Sequence, residues 1–115
     1  MKYHRREIVL AQFPFTDGTG KKLRPILILV ESSRLHSDYL AMFISSQLSQ
    51  KEEHDIVIDP AKKEFASSGL SKPSLMKLLK LGTISESLIL GTLGELSKSE
   101  FVKIVSSLVQ LLQAS

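Results

Sequence analysis

EIVLAQFPFTDGTGKKLRPILILV, residues Glu7–Val30, sets two apolar, β-branched runs on either side of a loop rich in glycine and lysine that ends in Arg24-Pro25. The runs Ile8–Phe15 and Ile26–Val30 have the composition of strands packed in a core. Between them, Asp17-Gly18-Thr19-Gly20 is turn chemistry, because glycine reaches backbone angles that other residues resist. Pro25 restricts Arg24 to an extended conformation, so the arginine enters the second strand as the only charge beside a five-residue apolar wall. Held that way, its guanidinium can present a planar fork of donors to a phosphate.

Working outward, strands are expected near 7–14 and 25–31, then at Tyr39–Ser45, where YLAMFIS is mostly apolar. A fourth lies at Asp55–Ile58, and Pro60 ends it. The stretch from Pro60 to Lys72 has the small, polar residues of a loop with Gly69 as its turn point. Two short strands follow, around Ser74–Leu79 and Lys80–Ile84. Short strands in such succession predict a mainly β fold, a small barrel or a strongly twisted sheet. The end of the chain differs in kind. Ser97-Lys98-Ser99-Glu100 is a capping box, and after it Phe101, Ile104, Val105, Leu108, Leu111 and Leu112 recur at helical spacing, with Val102 and Val109 beside them. This C-terminal helix is expected to cover an open end of the barrel, with part of its apolar stripe left to pair with another subunit.

A chain of 115 residues reads as one domain, 1–115, with room for a modest core but not for two. Lys2, Arg5 and Arg6 precede an apolar run confined to Ile8–Ala11, too short for a signal peptide or a membrane span. The absence of cysteine rules out disulfides and thiolate metal sites and suits a reducing compartment, so the expected location is cytoplasmic. The three histidines are too dispersed for a zinc site, and neither metal nor other cofactor is expected. A net charge of +3 is too mild to argue for a polyanion partner, but its distribution is informative. Residues 1–24 carry six Lys/Arg against Glu7 and Asp17, whereas residues 51–64 hold five carboxylates against three lysines. A basic edge around the first loop would attract phosphates and bind them in a salt-dependent way.

Four pieces of the chain, EIVLAQFPFTDGTGKKLRPILIL at 7–29, FISSQ at 43–47, GLSKPS at 69–74, and KLGTIS followed by LGELS at 80–97, together resemble the MazF/PemK-like family of bacterial type II toxin–antitoxin toxins. The pieces arrive in the family's order and at about its spacing. The resemblance implies a small SH3-like β-barrel with a C-terminal α-helix. It also implies metal-free cleavage of single-stranded RNA, in which the ribose 2′-hydroxyl attacks the adjacent phosphate to leave a cyclic phosphate and a free 5′-hydroxyl. The implied partners are single-stranded RNA, a small antitoxin whose acidic segment lies over the basic groove, and a second copy of the chain in a homodimer.

Such a reaction needs positive charge aimed at the phosphate oxygens and a hydrogen-bonding group to hold the geometry. Arg24 matches the family's catalytic arginine and, being permanently charged, is assigned to transition-state stabilisation. Ser45 falls where the family has a threonine or serine and is assigned to positioning. Lys21, Lys22, Gln47, Lys77 and Lys80 are the expected RNA-binding residues, Gln47 and Lys77 because they match family positions. Where some members carry an acidic residue, in one branch the proposed general base, this chain has Leu79. Leucine cannot accept a proton, so no base is assigned, His36 and His54 being unsupported by any partner at catalytic spacing. A binding module of the same fold, catalytically weak or inactive, therefore stands as the alternative.

Overall fold

The computed structural model describes residues 2–14 and 21–114, with the side chains of Phe13, Pro14 and Lys21 excepted; the expected Asp17–Gly20 turn and the end of the Ile8–Phe15 run lie outside these. Strands β1 (Glu7–Pro14) and β2 (Lys21–Ser33) pair antiparallel, with Leu10 opposite Pro25 and Ala11 opposite Arg24. β3 (Asp38–Ser45) pairs with the other side of β2 from Ile26 onward, just past Pro25, which has no N–H to give to a ladder. β4 (Ile56–Ile58), β5 (Ser74–Ser85) and β6 (Ile89–Glu95) complete a six-stranded antiparallel sheet in the order β4-β5-β3-β2-β1-β6. Helix α1 (Glu64–Ser68) is a single turn between β4 and β5, and α2 (Lys98–Gln113) closes the chain. Ser97 caps α2 as the sequence implies, its Oγ accepting from the Glu100 amide at 3.2 Å.

The structure departs from the sequence reading in three places. The two strands expected at 74–79 and 80–84 are one strand, β5, with a break in register: Met42 faces Leu81, but Ile44 faces Met76. Residues 77–80 thus bulge against Phe43 and bend the strand without ending it. β6 was not anticipated, because Gly91 and Gly94 interrupt any alternation of apolar and polar residues. α1 forms within the stretch read as loop.

Alternation along the strands divides the apolar residues between two cores. Leu27, Met42, Ile44 and Met76 lie on the face covered by Phe101, Ile104 and Leu108 of α2. Ile26, Ile28, Val9, Ala11, Tyr39 and Ala41 lie on the other, joined by Tyr3, Ile84 and Ile89. The second core draws on neither helix, so the sheet buries that face by curling over it. Within it, Tyr39 is fully buried, receives a hydrogen bond from the Tyr3 amide at 3.0 Å and donates to Glu86 Oε2 at 2.6 Å. Burial, reinforced by that bond to a carboxylate, pushes the Tyr39 phenol up to about 12.

The curl brings the two ends of the strand order together through α1. Gly69 ends α1 with φ 74°, a left-handed cap that suits glycine, and a β-carbon there would run into the carbonyl of Leu93 in β6. A β-carbon on Gly94 would meet the backbone of Ser67 and Ser68. Backbone therefore lies directly on backbone where α1 crosses β6. Among the described residues β4 and β6 are not hydrogen-bonded to each other, so the sheet is open and the expected barrel closure is not confirmed by strand pairing.

Gly94→Ala is expected to destabilise the fold by about 1–3 kcal/mol through that clash, whereas Gly91→Ala, whose β-carbon meets nothing within 4 Å, should change stability by at most ~0.5 kcal/mol; urea denaturation of the two variants checks this. Because the folded pKa of Tyr39 exceeds the ordinary 10.0, its contribution to stability is present below pH 10 and is lost as pH rises toward 12. An alkaline ultraviolet titration should therefore find a phenol that ionises near pH 12, and Tyr39→Phe should abolish that step.

Candidate functional site around Arg24

Leu10 and Pro25 are paired neighbours on β1 and β2, and beside them Arg24 opens a hollow of about 410 Å³ at this end of the sheet. Its other walls are Ile44 and Ser46 at the end of β3, the segment Gly69–Lys72 with Ser74, and Leu93 of β6. Each of the four sequence pieces singled out above contributes to this one hollow. The segment Gly69–Ser74 is held there by the glycine contact with β6 and by Ser74 Oγ, which donates to the Lys72 carbonyl at 2.9 Å. Arg24 and Lys72 supply its positive charge, and Ser46, Ser71 and Ser74 its hydroxyls.

The β2–β3 ladder ends at the Ile26–Phe43 pair, and Arg24 and Ser45 each lie two residues beyond it on their strands, at the same end of that ladder. Ser45 itself does not line the hollow; Ser46 does. The Ser45 Oγ accepts the Gln47 amide at 3.1 Å, which occupies a lone pair and leaves the hydroxyl proton to be donated elsewhere. Gln47 is exposed and begins the turn Leu48–Gln50. Lys22 is exposed next to the hollow, on the β2 residue opposite Phe13; the Lys21 side chain lies outside the described residues. Sequence reading missed Lys72, although the GLSKPS piece that contains it was the available signal.

Lys77 and Lys80 are elsewhere. With Glu52, Glu53, His54, Asp55 and Leu79 they line a smaller hollow of about 200 Å³. Lys80 is exposed there, but Lys77 is buried, its Nζ donating to Asp55 Oδ2 at 2.5 Å and to Glu52 Oε1 at 3.0 Å. The bond to Asp55 raises the Lys77 pKa, with burial opposing it. Burial also works against the Asp55 carboxylate, but the Glu52 amide and the Lys77 ammonium outweigh it and hold Asp55 below the usual carboxylate range. Leu79 is 60% exposed, and His54 lies 3.8 Å from Glu53. Neither His36 nor His54 lines the Arg24 hollow.

The sequence model of the family described as "PemK-like, MazF-like toxin of type II toxin-antitoxin system" matches residues 4–112. The chain belongs to this family. No curated protein sequence matches it, but solved structures share its fold from end to end. An endoribonuclease in complex with its cognate antitoxin from a mycobacterial species is 16% identical, with 98% of this chain and 97% of that one aligned at a TM-score of 0.68. The Mycobacterium tuberculosis toxin MazF-mt6 is 20% identical over 96% and 99% of the two chains, TM-score 0.67. A MazE–MazF structure from Deinococcus radiodurans covers 100% of both chains at 16% identity and a TM-score of 0.71. Among the described residues of this toxin-family chain, no helix is long and apolar enough to cross a membrane.

The shifts of the buried pair give a pH dependence with a definite sign. Asp55 has a depressed pKa, so its stabilisation is present above the unfolded value of about 4 and is lost as pH falls through the folded value. Lys77 has a raised pKa, so its stabilisation is present below about 10.4 and is lost as pH climbs through the folded value. Urea midpoints measured against pH should fall on the acid side, and Asp55→Asn should be less stable at neutral pH yet lose less on acidification.

Proposed function

We propose that this chain, as a single toxin domain acting in the cytoplasm, is the toxin of a type II pair and cleaves single-stranded RNA without a metal ion. The observation that carries the reading is the convergence of all four family segments on the hollow that Arg24 opens. Arg24 stabilises the charge that builds on the phosphate as the 2′-hydroxyl attacks, and Ser45, with its acceptor side occupied by the Gln47 amide, donates to a phosphate oxygen. Lys21, Lys22 and Lys72 draw the backbone toward the hollow, and Gln47 and Lys80 contact RNA beyond it. The coiling of the sheet and its contact through α1 support an SH3-like arrangement. An antitoxin partner is supported by the solved relatives in which a toxin and its antitoxin are bound together.

A C2 homodimer belongs to the same proposal. β3 is paired on both sides, and β5 is paired on both sides at Ser74–Met76, whereas past Met76 the outer edge of β5 has no ladder partner among the described residues and could pair with a second copy. Leu79 and Leu81 on β5, and Val102, Val109 and Leu112 on α2, are exposed apolar groups that such a contact could use. The second reading, a module that binds RNA or antitoxin without cleaving, is favoured by one observation only: exposed Leu79 offers no proton acceptor at its position.

Purified protein should cleave unstructured RNA in EDTA and leave 5′-hydroxyl ends. Strict dependence on added magnesium, or 5′-phosphate ends, would contradict the mechanism, and binding without any cleavage would select the second reading. Arg24→Ala should reduce cleavage by ~10²–10³ with the circular dichroism spectrum unchanged, and Arg24→Lys should restore little, because an ammonium lacks the bidentate fork. Light scattering should give a dimer that Leu112→Glu weakens.

A further inference from the structure

Residues 46–55 join β3 to β4, and both ends of this segment are tied down. At its start, Ser46 lines the Arg24 hollow and the Gln47 amide is bonded to Ser45 Oγ at 3.1 Å. At its end, a turn closes on itself: the Asp55 amide donates to the Glu52 carbonyl at 3.1 Å, and the Glu52 amide donates to Asp55 Oδ2 at 2.8 Å. Lys77 enters this turn from the bulge in β5 and bonds both carboxylates. The Lys77 and Asp55 side chains are 7% and 6% exposed, whereas Glu52 is 69% exposed, so the bond to Asp55 is the sheltered one. Two of the three ammonium protons are committed to anions, and a phosphate approaching Lys77 would meet those carboxylates first.

We infer that Lys77 is a positioning residue and not a phosphate ligand: through Asp55 it fixes the far end of segment 46–55, and so holds Ser45, Ser46 and Gln47 in place beside Arg24. This rests on the proposed RNA cleavage and replaces the sequence-based assignment of Lys77 to RNA binding. The bulge at 77–80 has a purpose under this reading, because it turns Lys77 out of the β3–β5 ladder toward the turn at 52–55. An ion pair sheltered from water holds its geometry against salt better than a surface pair does. Misplacing reacting groups by about 1 Å costs on the order of 10²-fold in rate, so losing the anchor should be read in catalysis before it is read in binding.

The test compares Lys77→Met, Asp55→Asn and the exchange Lys77→Asp/Asp55→Lys with the full-length wild type, well below the melting temperature of each. Single-turnover cleavage, the salt dependence of RNA affinity and hydrogen exchange at 46–55 are measured. Both single variants should lose cleavage on the order of 10²-fold, with the salt slope of RNA binding unchanged and exchange at 46–55 accelerated; the exchange variant should recover part of both. A salt slope flattened by about 0.7 in Lys77→Met would make Lys77 a phosphate ligand and overturn the inference. Tighter RNA binding by Asp55→Asn would do the same, since it would mean that Asp55 merely masks the lysine. If Lys77→Met does not fold, Asp55→Asn carries the test, because it keeps side-chain volume and removes only the charge. Should the wild type cleave no RNA, the proposed function fails, while the exchange measurement still decides whether Lys77 anchors the segment: unchanged protection in both single variants refutes it.

Discussion

Two β-carbons that the chain lacks, at positions 69 and 94, set how closely its ends can meet. α1 lies between β4 and β5 at one end of the strand order, and β6 forms the other end. With glycine on both sides, the last turn of α1 rests its backbone directly on the backbone of β6. That contact brings Gly69–Lys72 over the edge of β1 and β2, and without it the Arg24 hollow would lack one wall. The same approach packs Phe65, Leu70 and Leu96 into the core that α2 covers. A pair of small residues thus lets α1 close on β6 and sets one wall of the hollow.

Charge is sorted by burial. Arg24 and Lys72 stand at an open hollow among hydroxyls, where a polyanion can reach them. Lys77 is taken into the protein and paired with Asp55, where its ammonium supports structure. Removing one member of such a pair strands the other, which is why a buried pair is costly to break even when it adds little net stability. Glu7 follows the same rule without a cation: its carboxylate accepts from the His4 amide at 3.0 Å and from Thr92 Oγ1 at 2.7 Å, tying β1 to β6.

The sequence made β1, β2, β3 and α2 legible because each carries one strong local signal, an apolar β-branched run or a capped helical stripe. β6 carries none. Its two glycines serve the contact with α1 and so weaken the strand pattern, and only the folded chain shows what they face. β5 was read as two strands because its character changes at Leu79-Lys80, and the change marks the bulge. At the candidate site, Arg24 and Ser45 are named from motif and from proline chemistry, and the fold puts both at the same end of the β2–β3 ladder. Lys77 is expected to bind RNA from its match to a family position, and nothing local in the sequence foretells that it will meet Asp55, 22 positions away. Lys72 was visible in its motif but not as a neighbour of Arg24, since that proximity depends on the Gly69–Gly94 approach.

Leu79 bears on how fast the proposed reaction can run, more than on whether it can run at all. A positioned general base contributes typically 10²–10⁴-fold, and a donor aimed at developing negative charge contributes about 10²–10³-fold. These contributions come from different groups, and only the first is missing at position 79. Arg24 keeps its place at the hollow, and Ser45 keeps a proton to donate. With water as proton acceptor, electrostatic stabilisation and orientation would remain, so under the proposed function the missing base predicts slow cleavage.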